Sequence, residues 1–147
     1  MSAADSVPGQ FTLVLHSHLP WLANHGRWPV GEEWLYQSWA ASYQPVFAVL
    51  RRLAADGFSD VMSLGITPIL AAALDDPHCT SSMYEWLADW QLRATELATD
   101  RDPVRAQAGT ANFRAAGAAL DDFEKHWRHG ASPEIRRLLS SGVIELL

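Results

Sequence analysis

Two histidines, His16 and His18, follow the apolar run Phe11-Thr12-Leu13-Val14-Leu15 and precede Leu19-Pro20-Trp21. In an extended chain, residues two apart point to the same side, so both imidazoles would face one way at the end of a strand. Such a pair suits hydrogen bonding to a polar ligand or coordination of a metal such as zinc. It suits a ligand-free polar network at a strand end as well. Trp21 and Trp28 flank the loop that follows. An indole offers a flat apolar face and one donor, a combination that stacks on a sugar ring or fills the gap between a loop and a helix. Glu145 stands inside the apolar run Val143-Ile144-Glu145-Leu146-Leu147, on the face it shares with Val143 and Leu147. A buried carboxylate is costly unless paired or hydrogen-bonded. That makes Glu145 a candidate site group near a barrel axis, or else a stray polar residue at an exposed end.

Other reactive side chains read as structural. His25 and His78 fall in loops, and His126 and His129 near a helix end, where the dipole favours imidazolium. Cys79 is a lone thiol. Asp121, Asp122 and Glu124 read as a solvated helix face. There is no glycine-rich phosphate loop and no Gly-x-Ser-x-Gly elbow.

The chain of 147 residues has room for one domain with a core. A formal charge of −6 and a single lysine, Lys125, leave no basic patch for nucleic acid. One cysteine excludes an intrachain disulfide framework and a Cys-only metal cage, and it suits a reduced, cytoplasmic setting. Nothing reads as a signal peptide or a bilayer span, so no membrane partner is expected. No cofactor is expected either. Residues 1–10, with Pro8 and Gly9, read as a flexible leader.

These candidates need elements to hold them. Residues 11–16 read as a first strand, apolar enough to be covered on both faces. A loop runs from Pro20 to Gly31. Residues 32–56 read as a helix, with Glu32 and Glu33 meeting the positive end of its dipole. Its stripe is Trp34, Leu35, Trp39, Tyr43, Val46, Phe47, Leu50 and Leu53, with Pro45 kinking or dividing it and Gly57 ending it. Phe58 to Leu64 reads as the second strand. Thr67-Pro68 opens a short helix to Leu74, residues 75–81 form a loop, and Ser82 with Glu85 fits a capping box for the next helix. Helices from Asp102-Pro103 and from Ser132-Pro133-Glu134 follow, and the third strand is Val143–Leu147. Trp34, Trp39, Trp86 and Trp90 read as core. Strands separated by helices predict parallel pairing and an α/β fold. A last strand without a polar tail predicts the front part of a larger enzyme.

Three segments together resemble glycoside hydrolase family 57, especially its 1,4-α-glucan branching enzymes. Leu13-Val14-Leu15-His16-Ser17-His18-Leu19-Pro20-Trp21 looks like the family's first motif. Gly31-Glu32-Glu33-Trp34-Leu35-Tyr36 with Tyr43-Gln44-Pro45 looks like the helix after it. Ser141-Gly142-Val143-Ile144-Glu145-Leu146-Leu147 looks like the start of the second motif, and Ser63 to Leu70 has the family look too. The resemblance implies the N-terminal part of a (β/α)7 barrel over 11–147, with a helical insertion between the second and third strands. It also implies retaining transfer of an α-1,4-glucan segment to form an α-1,6 branch, with amylose or a glycogen-like polymer as partner. The nucleophile glutamate and the acid/base aspartate are expected beyond Leu147, so no catalytic residue is assigned here. What carries over is substrate binding by His16, His18 and Glu145, with Trp21 and Trp28 as looser candidates. The 147-residue chain alone is expected to be inactive. Alternatives are a sibling activity, α-amylase or 4-α-glucanotransferase, or a metal-dependent barrel of the amidohydrolase or deacetylase type with His-x-His as ligands. The oligomeric state stays open.

Overall fold

The computed structural model describes residues 11–27 and 31–147, so the expected leader lies outside the described residues. Three strands, β1 (Val14–Ser17), β2 (Met62–Ile66) and β3 (Ile144–Leu146), form a parallel sheet in the order β1-β2-β3. Between β1 and β2 run α1 (Glu32–Ser38), a π-helical turn (Trp39–Tyr43) and α2 (Gln44–Ala55). Between β2 and β3 run α3 (Pro68–Asp75), α4 (Pro77–Ala98), α5 (Pro103–His126) and α6 (Ser132–Ser140). The expected α/β fold with parallel pairing is thus present.

The register fixes what each face of the sheet carries. Leu15 aligns with Leu64, and Leu64 with Leu146. Val14 aligns with Ser63 and Ser63 with Glu145, while His16 aligns with Gly65. Met62, Leu64 and Ile144 enter the helical core. There Trp39 sits edge-on to Phe123 and Trp127, with centroids 5.5 and 5.7 Å apart, and Phe47 packs on Trp127 at 4.9 Å. The Trp127 indole N–H donates to Asp122 at 2.9 Å, and Asp122 also pairs with Arg51. Asp122 is therefore half-buried and tied into the α2–α5 junction, not part of a solvated face.

The helix expected over 32–56 does divide at its proline. Pro45 has no N–H to give, and its ring crowds the carbonyl four residues back. The chain answers with a wider turn, in which Gln44 N–H reaches Trp39 O five residues away. Gly57, at φ 84°, follows the end of α2 as expected.

Several expectations are corrected. Residues 75–81 are not a loop, and Ser82 caps nothing: it is buried inside α4. The cap is Asp76, which accepts from His78 N–H at 2.8 Å and Cys79 N–H at 3.1 Å, with Pro77 first in the helix. His78 is accordingly a helical residue. The second strand lies at 62–66 and not 58–64; Phe58 is exposed, and Asp60 turns at φ 52°. Trp34 is 48% exposed, unlike Trp39 and Trp86, so it is not core. The first strand is not covered on both faces: Val14 and Leu15 are exposed, and among the described residues β1 pairs with β2 alone.

Candidate functional site

Val14, His16, Ser63 and Glu145 share one exposed or half-buried face of the sheet, opposite the helical core. Two small residues on the central strand keep that face open. A methyl group placed at Gly65 would lie 2.9 Å from His16 Nδ1, so the imidazole occupies the space that glycine leaves. One step along, Ser63 Oγ donates to Glu145 Oε2 at 3.2 Å. His16 and Glu145 therefore flank the central strand on one face, offset by two residues of register. Glu145 is exposed, one of the two placements its sequence left open. Water and one serine hydroxyl satisfy it, and no burial penalty arises.

His18 lies just past the end of β1 and is exposed. The strand end below it is fastened by Thr67 N–H donating to Ser17 O at 3.2 Å. Trp21, 41% exposed, stands three residues further on. Trp28 lies outside the described residues. The face thus unites His16 and Glu145, with His18 and Trp21 leaving its edge in sequence.

The loop that carries Trp21 is held by a residue that sequence patterning assigned to the helix dipole alone. Leu22 and Ala23 are buried, and Asn24 turns the chain at φ 64°. Asn24 N–H then donates to Glu32 Oε1 at 2.7 Å. Glu32 Oε2 accepts from Tyr36 Oη at 2.9 Å, and His78 Nε2 stands 2.7 Å from Oε1. The carboxylate is 5% exposed. Burial pushes its pKa up, but the bonds from Asn24, His78 and Tyr36 and the nearby imidazole charge outweigh this, so the net shift is downward. Burial, with the Glu32 bond and charge, raises the Tyr36 phenol well above its usual range. Burial also pushes the Cys79 thiol up to about 12, reinforced by Asp76 and Glu32, which leaves it protonated and unreactive. The signal for this cluster was the Glu32/Tyr36 spacing of four, which puts both side chains on one helix face. His78 arrives from a distant helix and carries no local signal.

Among the described residues, no group of three or more His, Cys, Asp or Glu side chains is placed to hold a metal ion. No helix among them is long and apolar enough to cross a membrane.

No family model matches the chain. A probable 1,4-alpha-glucan branching enzyme of Mycobacterium tuberculosis is 49% identical over 160 residues, covering 99% of this chain and 30% of the relative. The GH57-type branching enzyme from the hyperthermophilic archaeon Pyrococcus horikoshii superposes with a TM-score of 0.84 at 26% identity, covering 92% of this chain and 26% of that one. The GH57 branching enzyme from Thermococcus kodakaraensis, solved in complex with glucose and additives, gives a TM-score of 0.83 at 25% identity, covering 92% and 24%. The chain thus spans less than a third of the length of these relatives. In fold the chain is similar to the GH57 branching enzymes, and in sequence, over nearly its whole length, it is similar to a portion of a branching enzyme, in agreement with the resemblance seen in the motifs.

Proposed function

We propose that the full-length protein carrying this chain is a 1,4-α-glucan branching enzyme and that this portion supplies part of its glucan-binding surface. The observation that carries the reading is the open sheet face, on which His16 sits over Gly65 and Glu145 is bonded to Ser63. Imidazole and carboxylate groups on a water-accessible face suit the hydroxyls of a sugar, and the exposed Trp21 indole suits its apolar ring face. His16, His18 and Glu145 are read as substrate-binding, with Trp21 and Trp28 as flanking platforms.

Retaining transfer needs two carboxyl groups on opposite sides of the scissile bond, about 5–5.5 Å apart. Glu145 is read as a binding group, and the family resemblance implies that the nucleophile and the acid/base lie in sequence beyond Leu147. A sugar hydroxyl then replaces water as acceptor, and an α-1,6 branch results. On this reading β1, β2 and β3 are the first strands of a (β/α)7 barrel over 11–147. Helices α3–α6 are its insertion, and 1–10 a leader. The product would serve storage polymer of the glycogen type in the cytoplasm.

The test is to incubate the full-length protein with amylose and count α-1,6 linkages after isoamylase digestion. New branches are expected, and the 147-residue chain alone should make none. Short maltooligosaccharides without branches from the full-length protein would point to α-amylase instead.

A further inference from the structure

We propose that Glu32 is the positioning residue of this glucan site, acting through the loop that brings Trp21 to the end of β1. The inference rests on the reading of that face as a sugar site. Glu32 is far more completely bound than a helix-end carboxylate needs to be. Three donors or charged partners from three separate parts of the chain converge on it: Asn24 N–H of the loop, Tyr36 of α1 and His78 of α4. Its own N–H donates to Gly26 O at 2.9 Å, so a single residue grips the loop at two points. Gly31, just before it, meets Gly26 so closely that an added methyl would press within 2.9 Å of the Gly26 carbonyl carbon. Arg27 adds a third tie, to Glu85 on α4 at 3.1 Å.

The grip covers residues 24–27, while the strand end is held by the Ser17–Thr67 bond. Trp21 lies between these two anchors in sequence, and the next two residues, Leu22 and Ala23, are buried. The indole is thus exposed on a segment whose backbone is fixed on both sides, the arrangement a stacking platform requires. Positioning of this kind acts on binding by keeping a side chain where the ligand needs it, which avoids an ordering cost on association.

The test is a double-mutant cycle in the full-length protein, with KM and kcat for amylose as readouts. Glu32→Gln keeps the size of the side chain and removes the charge. It should raise KM on the order of 5-fold with kcat little changed, and in a Trp21→Ala background it should raise KM no further. An equal rise in both backgrounds overturns the inference and leaves the site reading standing. If Trp21→Ala alone leaves KM unchanged, the sugar-platform reading falls and the inference with it. Tyr36→Phe removes one hydroxyl from the carboxylate and spares the ring packing. It carries the same expectation, at smaller size, should Glu32→Gln unfold, a point that thermal melting decides.

Discussion

Met62 and Leu64 point from β2 into the aromatic core, whereas Ser63 and Gly65, their neighbours in the same strand, point to the open face. On the core side the alternation fills volume: Trp39, Trp127 and Phe123 meet there at centroid distances below 6 Å. On the open side it withholds volume, and the space goes to the His16 ring and the Glu145 carboxylate. One strand thus serves stability with its large side chains and the site with its small ones. A substitution on one face should therefore be read in stability, and on the other in ligand affinity.

The sharpest way to break that division is to remove core volume. Trp127→Ala deletes a fully buried indole and takes one of its hydrogen-bond donors from Asp122. It should cost about 3–5 kcal/mol, measured as the shift in urea midpoint, with glucan affinity per folded molecule unchanged. Next in size is Gly109→Ala, where the two long helices α4 and α5 touch. The added methyl would lie 2.5 Å from Leu97 C and 2.7 Å from Ala98 Cα, both backbone atoms that cannot step aside. The gain of about 1 kcal/mol in helix propensity is outweighed by helix separation, and a net loss of roughly 1–3 kcal/mol is expected.

Glu32, away from both sides of β2, adds a pH axis. Its folded pKa lies below the ordinary 4.5. A depressed carboxylate contributes stability that is fully present above the unfolded pKa and is lost as pH falls through the folded one. The wild-type melting temperature should therefore fall more steeply than that of Glu32→Gln between about pH 6 and about pH 3. Parallel melting curves across that range would refute a stabilising role for the ionised carboxylate.

The fold was legible where local chemistry settles an element. Asp102-Pro103 signals the start of α5, and Asp102 does accept from Val104 N–H at 2.8 Å. The same Asp-Pro signal stands at 76–77, but Ser82 and Glu85 imitate a capping box further on and mask it. Trp34 shares the stripe of Leu35 and Trp39 and so reads as core, yet periodicity says nothing about whether a neighbour covers that arc. Of the site, the His-x-His strand end and the position of Glu145 on a sheet face were visible, since both follow from strand alternation. The Ser63 bond to Glu145 and the His78 bond to Glu32 were not. They join residues 82 and 46 positions apart, and only the register and helix packing bring them together.

Gly65→Ala should have the smallest effect on stability, and it tests the division most directly, because it adds the same methyl group as Gly109→Ala on the opposite kind of surface. Gly65 has ordinary backbone geometry, so alanine brings no strain from φ. The nearest atom to the new methyl is His16 Nδ1 at 2.9 Å, on an exposed ring that can rotate away. Removing a strand glycine also favours folding slightly. The change in unfolding free energy should therefore stay within about 0.5 kcal/mol. Rotating the imidazole moves it from its place over Gly65, however. If both groups bind one sugar, maltooligosaccharide affinity should fall by about 3- to 10-fold, roughly the worth of one hydrogen bond. Isothermal titration of the full-length variant reads this directly. An unchanged Kd with an unchanged melting temperature would mean that His16 has no ligand to align with, and the open face would lose its claim to the site. A lowered melting temperature would mean instead that this face is packed in the full-length protein, and that the two sides of β2 differ less than their side chains suggest.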